Sequence, residues 1–248
     1  MNHFPASSHG QAFSEFSSAI IWERSHIPGV TVAALSDHRQ FEMADLCEAL
    51  STPEREKASA IADPTEKRHY VFKRCFQRVF VHTVIKWEGA LSSLQIKRQL
   101  DHQPMCVDSP VLQMSFSSSG FMAVACASVS REVGIDIERK RDIENVGTLA
   151  RRFFTPGEAD AILALPLADQ NLGFLRLWTA KEAGLKAIGR GIKSGLNSFI
   201  LSHKGYSYSS EIIDEFNMET PWSCLHLGLI PEHIVAVVHS PEKELHIP

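Results

Sequence analysis

The strictest alternation of apolar and polar side chains lies at residues 134–138, which read Gly-Ile-Asp-Ile-Glu. Successive side chains of a β-strand point to opposite faces, so the pattern predicts a strand with Ile135 and Ile137 facing a core. Asp136 and Glu138 then project together from the other face. The sequence therefore predicts two neighbouring carboxylates on the surface of a partly buried sheet.

Other segments follow helical periodicity, and some of their ends carry boundary signals. Thr52 and Pro53 precede two glutamates and predict a helix start, whereas Asp63 and Pro64 predict a stop. The predicted helices are 52–62, 65–87, 142–152, 156–165 and 169–189. The strand-like runs are 27–35, 104–108, 111–116, 121–129, 134–138, 198–202, 222–230 and 233–240. Because the strands cluster instead of alternating singly with helices, the order predicts an α+β fold.

Composition and charge narrow the possible classes of protein. The 248 residues include 25 basic and 29 acidic side chains, for a formal net charge of −4. This balance predicts no nucleic-acid partner. No run approaches about eighteen consecutive apolar residues, so we expect no membrane partner. The five cysteines are scattered without a CxxC pair, and the first residues lack a secretory pattern, which predicts reduced thiols in a cytoplasmic protein.

Asp136 and Glu138 form the first candidate site. Two adjacent carboxylates repel each other unless a cation lies between them or one of them is protonated. Carboxylate oxygens suit Mg²⁺, which typically takes one or two protein carboxylates together with phosphate oxygens and water. The alternative is an edge strand whose outward residues happen to be acidic.

The second candidate is one face of the helix predicted at 169–189. Trp178, Glu182 and Lys186 follow one another at i, i+4 spacing and share that face. A partly enclosed carboxylate and amine beside an aromatic ring fit a site in which one group holds a metal and the other a phosphate. The alternative is a surface salt bridge between Glu182 and Lys186, worth roughly a few tenths of a kcal/mol.

The third candidate is a basic stripe on the helix predicted at 65–87. Lys67, Arg74 and Arg78 lie within roughly 40° of one another on a helical projection, opposite an apolar face. Arginine can donate two hydrogen bonds to one phosphate, so the stripe could bind an anion. The alternative is a solvated helix surface.

A serine-rich segment is a weaker candidate for a binding site. The serine-rich residues 115–120 predict a polar turn whose hydroxyls and amides could bind an anion. The sequence contains neither a GxSxG motif nor a glycine-rich GxxxxGK[ST] loop. A hydrolase with an activated serine and a nucleotide phosphotransferase are therefore disfavoured.

Three motifs in this order resemble the signature of the 4′-phosphopantetheinyl transferases. They are GIDIE at 134–138, FFTPGEA at 153–159 and LWTAKEAGLKAIGRGI at 177–192. The resemblance covers roughly residues 50–195. The chain length and the form of the third motif resemble the larger, single-chain surfactin-type branch of the family.

The resemblance implies transfer of the 4′-phosphopantetheine arm of coenzyme A to a serine of an apo acyl or peptidyl carrier protein, with release of adenosine 3′,5′-bisphosphate. It also implies two similar lobes related by a pseudo-twofold axis, with coenzyme A and Mg²⁺ in the cleft between them. Residues 1–130 would form the lobe on the nucleotide side, and residues 131–248 would carry the metal and catalytic motifs. Such a chain is expected to work as a monomer. Fatty acid, polyketide and nonribosomal peptide pathways all remain open.

The resemblance also implies roles for individual residues of the second lobe. Asp136, Glu138 and Glu182 would be the Mg²⁺ ligands, and Lys186 would contact the phosphates of coenzyme A. Glu182 is the candidate base for the carrier serine, acting directly or through a metal-bound water. Asp136, Glu182 and Lys186 are therefore the predicted catalytic residues.

In the first lobe, Arg68 and Arg74 would hold the nucleotide phosphates, and Lys57 is a further candidate. Glu158, in the second motif, is expected to support the site. Cationic residues of a basic rim could steer an acidic carrier protein toward the enzyme. These candidates are Arg151, Arg152, Arg190 and Lys193.

The chain departs from the family pattern at two positions. The family's Ser-His-Ser triplet is matched by residues 117–119, so Ser118 replaces a histidine that contacts the 3′-phosphate. The family's Gly-Lys-Pro is matched by residues 102–104, so Gln103 replaces a lysine. Both changes remove cationic contacts to coenzyme A and leave the predicted metal ligands unchanged. The alternative function is a non-catalytic coenzyme A or carrier-protein binding module of the same fold.

Overall fold

The computed structural model describes residues 15–23, 27–36, 41–98, 103–189, 195–198, 200–203, 212–218 and 222–242. Its framework is two antiparallel sheets and two long helices, which confirms the α+β class. Arg190 and Lys193 of the predicted basic rim, and His102, lie outside the described residues. Within the described ranges, no helix is both long and apolar enough to cross a membrane.

The N-terminal half forms a four-stranded antiparallel sheet. Its strands are β1 (Ile21–Glu23), β2 (Thr31–Leu35), β5 (Gln113–Ser119) and β6 (Met122–Ser128), in the order β1-β2-β6-β5. Its helices are α1 (Met43–Glu48), α2 (Thr52–Ala60) and the long α3 (Pro64–Ile85). A short 3-10 turn (Leu91–Ser93) precedes a separate two-stranded ladder of β3 (Ile96–Arg98) and β4 (Pro104–Cys106).

The C-terminal half forms a five-stranded antiparallel sheet. Its strands are β7 (Val133–Arg139), β8 (Leu201–His203), β9 (Ile212–Met218), β10 (Ser223–Leu227) and β11 (His233–His239), in the order β7-β11-β10-β9-β8. Its helices are α4 (Val146–Phe153), α5 (Pro156–Leu163) and the long α6 (Leu167–Ala187).

The two halves repeat one order of elements. In each half a strand is followed by two short helices, a long helix and, at the end, two paired strands. In each sheet the first of these strands pairs with the last, giving β2-β6-β5 in one half and β7-β11-β10 in the other. This repeat supports the implied pair of similar lobes, and the boundary between residues 130 and 131 remains a prediction.

The second short helix of each half begins with the same capping motif. Ser51 and Glu54 form a capping box at the start of α2, and Thr155 and Glu158 form one at the start of α5. In a capping box the two side chains satisfy backbone N–H groups that a helix start leaves without partners. A proline in the first turn of each helix fits the same position because its missing N–H costs nothing there.

Three apolar clusters make up the described core. One lies beneath α3 in the N-terminal half, and a second lies between α6 and the sheet of the C-terminal half. The third joins the two sheets and contains Val32 and Val124 together with Ile135 and Ile137. The predicted alternation in β7 is therefore confirmed, and Asp136 is placed on the opposite face, with α6.

One polar network ties the chain connection between the two sheets to both halves. The guanidinium of Arg131 donates hydrogen bonds to the carbonyl oxygens of Pro28, at 3.1 Å, and Ser240, at 2.9 Å. It also forms an ion pair of 3.3 Å with Glu242. These contacts fix the end of β11 next to the turn that precedes β2.

The serine-rich segment differs from its predicted structure. Residues 115–119 belong to β5, paired with β6, and the turn follows at Gly120. The prediction of a turn was wrong because these serines looked solvent-exposed, whereas Ser115 is only 4% exposed. The pattern of the chain also gave no indication of β1, α1, β3 or β9, which are short or carry many polar residues.

Candidate active site between β5, β7 and α6

Serine side chains of β5 connect the edge of the first sheet to β7 of the second. The Ser115 hydroxyl accepts a hydrogen bond of 3.2 Å from the backbone N–H of Ile135. Two residues later on the same face, the Ser117 hydroxyl donates a 2.7 Å hydrogen bond to Asp136 Oδ1. The first half of the chain therefore orients the carboxylate of Asp136.

Gly134 allows α6 to approach β7 at backbone distance. A Cβ atom at this position would overlap the carbonyl oxygen of Ala183 and lie 2.6 Å from the backbone nitrogen of Ala187. Only glycine, which has no Cβ, permits this contact. The close approach brings the last two turns of α6, with Glu182 and Lys186, next to Asp136.

Lys186 reaches Asp136 across this contact. Its Nζ atom lies 2.7 Å from Asp136 Oδ1, 2.9 Å from the Ser117 hydroxyl and 3.1 Å from the carbonyl oxygen of Ile135. The alternative of a surface salt bridge between Glu182 and Lys186 is therefore wrong, because the carboxylate partner of Lys186 is Asp136. Lys186 remains about a third exposed, with a side chain that is 31% accessible.

Glu182 is a buried carboxyl group with one unpaired oxygen. The residue is 5% exposed, and its Oε1 atom has no hydrogen-bond partner among the described residues. Burial raises its pKa from 4.5 to about 7, and the negative charges of Asp136 and Glu138 add to this effect, while Lys186 opposes it. A buried carboxylate with an unpaired oxygen is costly in a structural position and is typical of functional sites.

Glu138 lies at the outer end of the site. Its Oε2 atom accepts a 2.9 Å hydrogen bond from the exposed Arg141. In the part of the chain that the structure describes, no three His, Cys, Asp or Glu side chains lie close enough together to hold a metal ion. The three predicted Mg²⁺ ligands therefore do not form a ready-made cage in this arrangement.

The donor chemistry of the site nevertheless fits a divalent cation. Asp136, Glu138 and Glu182 supply hard oxygen donors, the kind that Mg²⁺ prefers. Glu182 also carries the unpaired buried oxygen, and its pKa is raised partly by the other two carboxylates. A cation among these groups would relieve that repulsion.

Trp178 begins the predicted functional face of α6. Its ring is partly buried and packs 5.2 Å from the ring of Phe153 and 5.9 Å from that of Phe174. The expectation that this face is partly enclosed is confirmed. Trp178 supports the packing of α6 against α4, the helix whose end begins the second motif.

The basic stripe of α3 differs from its predicted form. Arg78 is 2% exposed and donates a 2.6 Å hydrogen bond to Glu54 of α2. Arg74 also forms an ion pair with Glu54 and a hydrogen bond with Gln77. Arg78 therefore does not belong to a solvated basic stripe, because a buried acidic partner lies 24 residues earlier in the chain, and Arg74 shares that partner.

The other predicted first-lobe residues lie at or near the surface. Arg68 donates a 2.6 Å hydrogen bond to the carbonyl oxygen of Phe41. Lys57 lies 5.4 Å from the ring centroid of Tyr70. Ser118 is half-buried in β5, opposite Ala123. Their roles in binding coenzyme A remain predictions.

Gln103 makes a contact that the sequence did not indicate. Its side-chain amide donates a 2.9 Å hydrogen bond to the backbone carbonyl of Lys186. This bond satisfies a carbonyl in the last turn of α6 and links it to the N-terminal half of the chain. Ser117 was missed in the same way, although the serines at alternate positions 115 and 117 were a usable signal for one strand face.

The raised pKa of Glu182 predicts how stability depends on pH. The folded protein keeps a proton on Glu182 that the unfolded chain releases between about pH 4.5 and pH 7. The free energy of unfolding therefore loses a contribution as pH rises through this window, and the contribution is constant below and above it. Glutamine stays neutral, so the stability of Glu182→Gln relative to the wild type should increase as pH rises from about 4.5 to about 7 and stay level above that.

Urea denaturation of the wild type and of Glu182→Gln at several pH values measures this difference. Asp160→Asn, which changes an exposed carboxylate on the surface of α5, is the control measured beside it. A stability difference between wild type and Glu182→Gln that does not change with pH would contradict the assignment.

Comparison with known proteins agrees with the motifs. A sequence model described as the 4′-phosphopantetheinyl transferase superfamily matches residues 132–238. The 4′-phosphopantetheinyl transferase HetI of Nostoc sp. is 29% identical over 165 residues, which cover 63% of this chain and 66% of HetI. The 4′-phosphopantetheinyl transferase Sfp of Bacillus subtilis is 30% identical over 176 residues, which cover 66% of this chain and 77% of Sfp.

A more distant similarity joins the chain to the phosphopantetheinyl transferase of Thraustochytrium sp., at 28% identity over 171 residues, or 62% of this chain and 58% of that relative. The chain thus spans just under two thirds of HetI and more than three quarters of Sfp. The matched family model includes β7, α5 and α6, the elements that carry the three motifs. The chain therefore belongs to the 4′-phosphopantetheinyl transferase family and resembles its surfactin-type branch.

Proposed function

We propose that this protein transfers the 4′-phosphopantetheine arm of coenzyme A to a serine of an apo acyl or peptidyl carrier protein. Family membership supports the reaction. The observation that carries the assignment of the site is the convergence of Asp136, Lys186 and the orphaned Glu182 where α6 meets β7. Two acidic groups and one lysine, drawn from two elements, provide the charges that a pyrophosphate substrate and its metal require.

Asp136, Glu138 and Glu182 are the proposed ligands of Mg²⁺. When bound, the ion supplies positive charge that neutralises the pyrophosphate oxygens of coenzyme A. Lys186 then provides a second positive charge for the same phosphates. Since its ammonium group is partly exposed and already lies beside Asp136, it can contact phosphate without a large movement of α6.

Glu182 is the proposed general base. Without a cation, burial raises its pKa to about 7; a cation bound beside it would lower that pKa and leave the carboxylate ionised and able to accept a proton. The carrier serine oxygen forms a bond to the β-phosphorus while the bond from that phosphorus to the bridging oxygen of the pyrophosphate breaks. Adenosine 3′,5′-bisphosphate leaves, and the hydroxyl proton passes to Glu182.

Arg68, Arg74 and Ser118 are the proposed contacts for the nucleotide part of coenzyme A. The two arginines lie on α3 and supply positive charge, whereas the Ser118 hydroxyl can donate a hydrogen bond without a charge. The exposed Arg151 and Arg152 on α4 are suited to attract an acidic carrier protein. Cytoplasmic location, a monomeric state and the identity of the carrier remain predictions.

Mass spectrometry of apo carrier proteins tests the function. We expect a phosphopantetheine mass gain on the carrier serine when the protein, coenzyme A and Mg²⁺ are present, and none when coenzyme A is left out. A carrier with its target serine replaced by alanine is the matched control. No mass gain across fatty acid, polyketide and nonribosomal peptide carriers would reject the proposal.

The non-catalytic binding module has no support from the comparisons, since HetI, Sfp and the Thraustochytrium protein are all named transferases. The potential catalytic groups are also present in this chain. Binding of coenzyme A in a calorimeter without turnover would be the result that favours such a module.

A further inference from the structure

A buried ion pair next to the site holds α6 in place. Lys181, the residue before Glu182, is 0% exposed, and its Nζ atom lies 2.8 Å from Glu158 Oε1. The same Nζ atom donates a 2.8 Å hydrogen bond to the carbonyl oxygen of Leu196. Glu158 Oε1 also accepts a 2.9 Å hydrogen bond from the backbone N–H of Leu201. The pair therefore connects α6 to the segment before β8 and to the first residue of that strand.

The second oxygen of Glu158 is fixed by the helix cap of α5. Glu158 Oε2 accepts hydrogen bonds from the backbone N–H of Thr155, at 3.0 Å, and from its hydroxyl, at 2.8 Å. The carboxylate therefore cannot follow Lys181 if α6 slides or rotates. A buried charge held by several hydrogen bonds has few alternative arrangements. The pair therefore fixes both the position of α6 along its axis and its rotation about that axis.

The N-terminal half contains the same arrangement of a helix-capping glutamate paired with a buried cation of the long helix. Glu54 caps α2 through Ser51 and forms an ion pair of 2.6 Å with Arg78 of α3. Arg78 in turn donates a 3.0 Å hydrogen bond to the carbonyl oxygen of Leu94. Residue 78 in a helix that begins at 64 and residue 181 in a helix that begins at 167 occupy the same position.

The residues that follow the buried cation differ between the two helices. In α6 the next residue is Glu182, and Lys186 follows one turn later. In α3 the corresponding positions are Val79, which is buried in the core, and Thr83. The buried ion pair of the first half therefore holds a helix that lacks these charged groups. The buried ion pair of the second half holds the helix that carries the proposed catalytic groups.

We propose that Glu158 and Lys181 are positioning residues for the reaction, because their buried ion pair sets the place of Glu182 and Lys186 relative to Asp136. This inference rests on the proposed function. A helix displaced by about 1 Å can lower a reaction rate about 100-fold even when substrates still bind. Loss of the pair should therefore lower kcat more than it changes KM for coenzyme A.

The test compares two matched double variants. Glu158→Gln/Lys181→Met removes both charges of the second half and leaves no buried ion alone. Glu54→Gln/Arg78→Met removes the buried pair of the first half, and the amide oxygen at position 54 can still accept the hydrogen bond from the partly exposed Arg74. Replacing a whole buried pair with neutral groups is often tolerated, so both variants should melt near the wild-type temperature. The double variant Glu158→Gln/Lys181→Gln, which is also neutral and keeps hydrogen-bonding groups at both positions, replaces the first double variant if that protein does not fold.

We expect kcat at saturating coenzyme A to fall at least about tenfold in the second-half variant, with KM for coenzyme A within about threefold of the wild type. The first-half variant should keep kcat within about twofold. Equal losses of kcat in both variants, or a folded second-half variant with wild-type kcat, would overturn the inference.

Native-state hydrogen exchange gives a readout that needs no turnover. Backbone amides at 182–187 should exchange about tenfold faster in the second-half variant than in the wild type, and those amides should be unchanged in the first-half variant. If the wild type transfers nothing to any carrier, the proposed function fails, and this comparison still decides the inference. Unchanged protection at 182–187 in the second-half variant would then reject it.

Discussion

Asp136→Asn should lower carrier-protein modification by at least about 100-fold. The substitution preserves the shape of the side chain but removes the charge that Lys186 and the proposed cation share. The amide oxygen of the new side chain could still accept the hydrogen bond from Ser117, so the connection between β5 and β7 would remain. The loss should therefore fall mainly on the reaction, with a moderate cost to stability of about 2 kcal/mol for the ion pair.

Initial rates of carrier modification and urea denaturation separate the two effects. Asp160→Asn, which changes an exposed carboxylate in the same half of the chain, should keep the wild-type rate. An Asp136→Asn variant that retains more than about half of the wild-type rate would contradict a role in the reaction. A variant that fails to fold would instead point to a structural role for Asp136.

Gly134→Ala should disrupt both stability and transfer. The added methyl group would overlap the backbone of α6 at Ala183 and Ala187, and backbone cannot move aside as a flexible side chain can. Forcing the helix away should cost about 3 kcal/mol, which corresponds to a decrease of about 10 °C in the melting temperature of a protein of this size. Because Glu182 and Lys186 move with the helix, the transfer rate of the folded fraction should fall at least about tenfold.

Gly157→Ala is the matched control for this prediction. Gly157 lies in the second motif, at the start of α5, and an added Cβ would meet no described atom within 4 Å. Alanine favours the helix by up to about 1 kcal/mol relative to glycine, so this variant should be at least as stable as the wild type. Thermal melting of both variants measures the difference. If Gly134→Ala melted at the wild-type temperature, the close contact of β7 and α6 would not be what positions the site.

Local pattern was sufficient to predict several elements. The alternation at 134–138 predicted β7 and the face that carries Asp136, because a strand with one buried face repeats every two residues. Proline and acidic residues in the first turn predicted the start of α2, because those signals arise within the helix itself. The i, i+4 spacing of Trp178, Glu182 and Lys186 predicted a shared face of α6, and the structure places Glu182 and Lys186 of that face beside Asp136.

The sequence pattern could not predict contacts between residues that are far apart in the chain. Arg78 was predicted to lie on a basic stripe, and the pattern around Lys181 gave no sign of a buried partner. Their partners Glu54 and Glu158 lie 24 and 23 residues earlier in the chain. Ser117 looked like part of an exposed turn because its polar neighbours gave no sign that β7 lies beside it. Only tertiary packing decides whether such a side chain is solvated or buried with a partner.

A crystal structure of the protein with coenzyme A and Mg²⁺ tests the central claim most directly. The proposed chemistry predicts the pyrophosphate beside Lys186 and a divalent ion bound by carboxylate oxygens of Asp136, Glu138 and Glu182. A complex in which the ion lies elsewhere, or in which the pyrophosphate makes no contact with Lys186 or the ion, would contradict it.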